Sequence, residues 1–221
     1  MTFRSVIVAR IVPGSEDKVA EVFRRADETT RPQDFGVIGR TLLSLDDLYI
    51  HIIERKADPK VTGQTRGLPA FKQVSEAIAP YVTPYPKDWK VPSDSVAKEF
   101  YRWDSGRKVD PADRQMTVIV ARIKPDTQTD VARIFAQSDA GPLPEIMGVT
   151  ARWLYSIDDV YLHLLERDGP FTDTVRKNHD QPAFAKIMED LRPYIDPYNP
   201  ESWRGPADAV AKEFYRWRAG D

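Results

Sequence analysis

The stretch Val6-Ile7-Val8-Ala9-Arg10-Ile11 recurs letter for letter as Val118-Ile119-Val120-Ala121-Arg122-Ile123. The match runs on in both directions of argument. Pairing Val6–Arg55 with the residues 112 positions later gives 23 identities in 50 without a gap. Pro69-Ala70-Phe71 pairs with Pro182-Ala183-Phe184 at an offset of 113, and Ala97–Trp103 with Ala211–Trp217 at 114. A period this long exceeds that of solenoid repeats and denotes two whole domains. The sequence therefore reads as domain 1 over 1–103, a linker over 104–114 and domain 2 over 115–221. The linker, DSGRKVDPADR, is polar and holds Gly and Pro, as connecting segments do.

One unit has a simple element order. Phe3–Val12 is rich in β-branched residues and reads as a strand. Val19, Val22, Phe23 and Ala26 recur at helical spacing. Val37–Ser44 and Leu48–Arg55 read as two strands joined at Asp46-Asp47. Phe71, Val74, Ile78 and Tyr81 mark a second helix stopped by Pro80. A proline-rich loop over Thr83–Pro92 follows, then a last strand over Val96–Trp103. The order βαββαβ is ferredoxin-like, within the α+β class. Helices cover one face of such a sheet and leave the other needing a partner. Two copies on one chain can supply that partner to each other, as a dimeric α+β barrel folded into one molecule.

Composition removes several functions. Among 221 residues there are 32 Lys+Arg and 34 Asp+Glu, without the basic surplus of a nucleic-acid or anionic-membrane binder. The chain has no cysteine, so thiolate metal sites, disulfides and cysteine nucleophiles are out. The N-terminus lacks a secretory h-region, and no apolar run is long enough to span a bilayer, so a cytoplasmic location is expected. No GxGxxG, Walker, GxSxG or HExxH pattern is present, which leaves dinucleotide, phosphoryl-transfer and α/β-hydrolase chemistry without support.

The polar residues shared by both halves are Asp27/Asp139, Arg40/Arg152 and His51/His163, with Tyr49/Tyr161 beside the histidines. The histidine strands, LYIHIIE and VYLHLLE, put Tyr49, His51 and Ile53 on one face and Leu48, Ile50 and Ile52 on the other. Such an imidazole is either a hydrogen-bonded core group or the wall of a cavity, where it serves as general acid or base. Arg40 and Arg152 sit mid-strand and need partners, Asp27 or Glu54 for the first. They pair structurally or stabilise an enolate oxygen. Asp27 and Asp139 fall near the end of the first helix of each half, where a solvated surface carboxylate is the commonest explanation and the helix dipole disfavours a capping role. His179 has no counterpart in the first half and reads as a surface loop residue. Tyr81, Tyr85, Trp89, Tyr101 and Trp103 recur as Tyr194, Tyr198, Trp203, Tyr215 and Trp217. Most suit a core. Trp89 and Trp203, with Tyr49 and Tyr161, are the candidates for binding a flat aromatic substrate. Thr41 and Leu43 become Trp153 and Tyr155, a difference expected in the walls of the two sites.

Each half resembles the tetracenomycin F2 cyclase family of aromatic polyketide biosynthesis. The features are V-x-V-x-R at Val6–Arg10, Asp27, G-V-x-x-R at Gly36–Arg40, D-L-Y-x-H-x-x-E at Asp47–Glu54, P-x-F at Pro69–Phe71, Tyr81–Trp89, and A-x-x-F-Y-x-W at Ala97–Trp103. The second half repeats most of them, with one extra residue before Trp203. The resemblance implies a fold that pairs through its sheets, no cofactor and no metal. It implies closure and aromatisation of a ring in a polyketide intermediate, free or carried on an acyl carrier protein. Asp27, Arg40 and His51, with Asp139, Arg152 and His163, are the catalytic candidates: a histidine base, an arginine for the enolate and an aspartate to orient the imidazole or relay protons. Where an imidazole is expected just before the aspartate, this chain has Ala26 and Ser138. The same groups would also serve a cofactor-free oxygenase of polyketide phenols, or a binder that shelters an intermediate without changing it. The internal pseudo-dimer leaves room for further association.

Overall fold

A computed structural model describes residues 2–57, 69–110, 114–169 and 181–220. Its strands are β1 (Phe3–Ile11), β2 (Val37–Leu45), β3 (Leu48–Arg55), β4 (Val82–Pro84), β5 (Lys98–Asp104), β6 (Gln115–Ile123), β7 (Val149–Ile157), β8 (Val160–Arg167), β9 (Ile195–Pro197) and β10 (Lys212–Arg218). The helices are α1 (Glu16–Thr30), α2 (Pro69–Ile78), α3 (Gln128–Asp139), the single turn α4 (Leu143–Ile146) and α5 (Pro182–Leu191). Among the described residues no helix is long and apolar enough to cross a membrane.

Two compact α+β units result, each with one five-stranded antiparallel sheet. The first has the order β10-β2-β3-β1-β4 and the second β5-β7-β8-β6-β9. The four strands β2-β3-β1-β4 are the ferredoxin-like sheet. Its fourth strand is the short Val82–Pro84, in a stretch whose prolines read as loop. It survives there because it is an edge strand, where a residue without an N–H is tolerated.

The strand read as last in each half does something else. β5 pairs with β7 of the second repeat, and β10 pairs with β2 of the first. Unit 1 is therefore Met1–Ala97 plus Lys212–Asp221, and unit 2 is Lys98–Ala211. The chain passes between units at Ala97/Lys98 and Ala211/Lys212, not at 104–114. The described part of that polar segment is tied into unit 2: the Ser105 amide donates to the Thr150 carbonyl at 2.8 Å, and Arg107 pairs with Asp168. Just before each crossing the chain is pinned to its own repeat. The Ala97 amide bonds the Val6 carbonyl at 2.8 Å, and the Ala211 amide bonds that of Val118 at 2.9 Å.

Local chemistry explains the elements that carry the site. In α1 the buried residues are Val19, Ala20, Phe23 and Asp27; in α3 they are Val131, Ile134, Phe135 and Asp139. Steps of four keep these on one helical face, so the aspartate ends the apolar stripe and points at the sheet. Gly36 and Gly148, which open β2 and β7, have φ of 73° and 63°, a region that penalises a side chain. β3 and β8 are central strands, buried on both faces. Their Tyr-x-His face meets the helix, where Tyr49 shares a core with Ala9, Ile11, Val19, Phe23 and Leu42.

β5 and β10 each carry a bulge. In β10 the register passes from Glu213 opposite Leu43 to Tyr215 opposite Leu42, leaving Phe214 as the extra residue; Phe100 is its equivalent in β5. Alternation would send consecutive aromatics to opposite faces. The bulge turns both toward the helix side, where Phe214 and Tyr215 pack on the core of unit 1 and Phe100 and Tyr101 on that of unit 2.

Candidate active site

In unit 1 the side chains of Asp27, Arg40, Tyr49 and His51 converge between α1 and the sheet. Arg40 Nε lies 3.1 Å from Asp27 Oδ2, with both side chains largely buried. Tyr215 Oη donates to the same oxygen at 2.9 Å. The guanidinium rests over the Phe23 ring at 4.9 Å, and the His51 ring meets Phe23 edge-on at 5.1 Å. Tyr49 is 6.2 Å from His51 between ring centres and 6.3 Å from Phe214.

Unit 2 repeats the cluster. Arg152 Nη2 lies 3.1 Å from Asp139 Oδ1, and Tyr101 Oη donates to Asp139 Oδ2 at 2.8 Å. Phe135 carries the guanidinium at 5.0 Å and the His163 edge at 4.9 Å. One contact has no counterpart among the described residues of unit 1: Arg152 Nη1 stands 3.4 Å from His163 Nε2, so the imidazole nitrogen serves as acceptor.

Burial sets the protonation of these groups. It holds the His51 imidazole well below its ordinary pKa, helped by the positive charges of Arg40 and Arg55. The same desolvation, with Arg152, holds His163 low. Both are neutral near pH 7, the form that accepts a proton. Burial raises Asp27 and Asp139; Arg40 and Tyr215, or Arg152 and Tyr101, oppose that rise. Tyr49 and Tyr161 are pushed upward by desolvation and keep their protons.

Among the described residues, several buried polar atoms of the clusters have no hydrogen-bond partner: Asp27 Oδ1, Tyr49 Oη and His51 Nε2 in unit 1, and Tyr161 Oη in unit 2. An unmade hydrogen bond in such a place costs about 1–3 kcal/mol. Orphan donors and acceptors gathered at one spot are suited to meeting polar atoms of a ligand. Among the described residues, no three His, Asp or Glu converge as a metal site would require.

The structure brings together the Asp, Arg, Tyr and His side chains named from the sequence, with differences in their partners. Among the described residues no hydrogen bond joins Asp27 to His51; the carboxylate holds Arg40 and Tyr215 instead. Glu54, the other partner considered for Arg40, sits between Arg4 and Arg218 at 3.0 and 3.2 Å. Trp89 and Trp203 are each 38% exposed on the loops after β4 and β9, and no ring contact among the described residues joins them to an imidazole. Thr41 and Leu43, like Trp153 and Tyr155, lie on the sheet face opposite Arg40 and Leu42, so they do not wall the clusters. Tyr155 there donates to Glu99 at 3.0 Å. Phe23, Phe135, Tyr101 and Tyr215 are cluster members that sequence reading left in the core. His179 lies outside the described residues.

A five-stranded α+β unit with a carboxylate, a guanidinium and an imidazole under its helix, built twice, defines a duplicated small-molecule enzyme scaffold. The family model described as "Polyketide synthesis cyclase" matches residues 3–104 and again 115–218, and the chain belongs to that family. The uncharacterized protein SCO5314 of Streptomyces coelicolor is 46% identical over 102 residues, which are 46% of this chain and 92% of that protein. Tetracenomycin F2 cyclase of Streptomyces glaucescens is 38% identical over 104 residues, 47% of this chain and 95% of the relative. These relatives each match about half of this chain, as expected for a tandem fusion. A solved anthrone oxidase-like protein, 14% identical, aligns over 99% of this chain and 94% of its own with a TM-score of 0.56, a likeness of fold.

Proposed function

We propose that the protein is a cytoplasmic, cofactor-independent cyclase that closes and aromatises a ring of a poly-β-ketone intermediate by intramolecular aldol condensation and dehydration. The observation that carries this reading is the carboxylate–guanidinium–imidazole cluster, present in both units of a chain of the polyketide cyclase family.

The substrate methylene lies between two carbonyls and is already acidic. Neutral His51 takes its proton at Nε2, and the C–H electron pair passes into an enolate. The Arg40 guanidinium, held in place by Asp27, stabilises the enolate oxygen. The enolate carbon then bonds to a remote carbonyl carbon of the same chain, and that oxygen receives the proton back from the imidazolium. Burial makes the imidazolium a strong acid, so the return is favourable. A second deprotonation and departure of the hydroxyl as water restore conjugation and form the aromatic ring. Tyr49, with its free hydroxyl, and the aromatic pair Phe214-Tyr215 hold the folded chain. Positioning of this kind can supply about 7–11 kcal/mol. His163, Arg152, Asp139 and Tyr161 have the matching roles in unit 2.

The test is incubation with free and carrier-tethered polyketide intermediates, with products read by mass and NMR and dissolved oxygen followed in parallel. A product lighter by one water, formed without oxygen uptake, is the expected result. Oxygen consumption with a product gaining oxygen would overturn the cyclase in favour of an oxygenase. Tight binding without chemical change would overturn it in favour of a binder.

A further inference from the structure

We propose that Tyr215 and Tyr101 are positioning residues of the reaction, each delivered by one repeat to the cluster built by the other. The proposal rests on the cyclase reading and adds to it a residue and a wiring. Tyr215 reaches Asp27 across 188 positions of sequence, whereas Tyr101 reaches Asp139 across 38. The two contacts are nonetheless the same, hydroxyl to carboxylate Oδ2 at 2.9 and 2.8 Å.

Three features distinguish these tyrosines from ordinary core aromatics. Each sits one residue after a bulge, which turns it toward the cluster. Each is only partly buried, unlike Tyr49 and Tyr161, which are 2% and 3% exposed. Among the described residues, each supplies the one hydroxyl bonded to a carboxylate that otherwise meets a guanidinium. In unit 1 Oδ2 meets both Tyr215 and Arg40, which sets the carboxylate plane; in unit 2 Tyr101 takes Oδ2 and Arg152 takes Oδ1, so the hydroxyl and the guanidinium fix both ends of the carboxylate. Loss of the hydroxyl lets the carboxyl hold its proton to higher pH, which uncouples it from Arg40. The charged or titratable groups acting within the Asp27 cluster are Arg40 on β2, Tyr215 on β10, His51, Tyr49 and Arg55 on β3, and Arg24 on α1. Around Asp139 they are Arg152 on β7, Tyr101 on β5, and His163 and Tyr161 on β8.

The experiment uses the full chain and the intermediate that the wild type turns over. Tyr215→Phe and Tyr101→Phe are each made alone and on top of His51→Gln, with thermal unfolding checked for all. The rate left in His51→Gln comes from unit 2. Adding Tyr101→Phe is expected to lower it about tenfold or more, the order expected for losing one charge-assisted hydrogen bond. Adding Tyr215→Phe is expected to lower it by less than twofold. The single Tyr215→Phe variant shifts the acidic limb of its kcat profile to higher pH with little change in KM. Carboxyl 13C NMR of Asp27 in Tyr215→Phe reads the pairing without turnover, and an upward shift of its titration is expected. The reverse pattern of additions would overturn the crossed wiring. Folded Tyr→Phe variants with wild-type rates and pH profiles would overturn the positioning role. A wild type that cyclises no intermediate would remove the reading on which the role rests, and the Asp27 titration alone would still decide the pairing.

Discussion

The two clusters hold the same residues and differ in which atoms are spoken for. In unit 1, His51 Nε2 is buried and has no hydrogen-bond partner among the described residues, and the Arg40 side chain keeps 14% of its surface exposed. In unit 2, His163 Nε2 faces Arg152 Nη1 at 3.4 Å, and the Arg152 side chain is 5% exposed, with Trp103 5.9 Å from its guanidinium. An accepting nitrogen that already receives an N–H is a poorer base than a free one. A duplicated site can thus keep its composition while its two copies diverge in readiness for proton transfer.

The largest effect expected from this difference is on stability. Removing the carboxylate from a buried ion pair leaves a buried charge, at a cost of about 3–5 kcal/mol. Asp139→Ala should cost more than Asp27→Ala, because Arg152 has less access to water than Arg40. Denaturant unfolding measures both, and equal losses would erase the distinction.

The next effect is on rate. Removing a general base typically costs about 10²-fold or more. His51→Gln should therefore lower total turnover more than His163→Gln, since the free imidazole belongs to unit 1. Steady-state kinetics with one substrate decides it, and a greater loss in His163→Gln would reverse the ranking.

The pH dependence is common to both clusters. Each imidazole has a folded pKa held below its unfolded value of 6.5. Its contribution to stability is present above the unfolded pKa and is lost as pH falls below it toward the folded pKa. The slope is at most about 1.4 kcal/mol per pH unit per histidine. Unfolding free energies measured between pH 7 and 5 (a window set by that reference value, about 6.5) should fall less steeply in His51→Gln or His163→Gln.

The smallest effect contrasts the two glycines at the entries to β2 and β7. Gly36→Ala meets only backbone strain, about 1 kcal/mol. Gly148→Ala adds a carbon that meets the Asp168 carboxylate and displaces it from its pairing with Arg107, and should cost more, with thermal melts as the measure.

Much of this was legible before any coordinates. Repetition exposed the two units, β-branched runs marked the strands, and the paired Asp, Arg and His identified the cluster. The burial of Asp27 and Asp139 runs against the surface role that an acidic residue near a helix end most often has. Asp27 stands four residues after Phe23 and eight after Val19, on the apolar stripe, but its charge alone favours the solvent face. The crossing of β5 and β10 was not legible, for a physical reason. Lys-Glu-Phe-Tyr-Arg-Trp is identical in both repeats, so either copy offers β2 or β7 the same side chains. The choice lies in chain geometry, on which composition is silent. The bulges at Phe100 and Phe214 carry no Gly or Pro to announce them, and their result, two adjacent aromatics on one face, breaks the alternation on which strand reading depends.

The crossing also sets an order of events at the ribosome. Unit 2 is a continuous stretch of chain, complete once Ala211 has emerged. Unit 1 is begun first, yet its strand β2 waits for Lys212–Arg218 to be made. The nascent protein thus finishes its second half before its first, and through that interval β2 offers unpaired N–H and C=O groups to any passing strand.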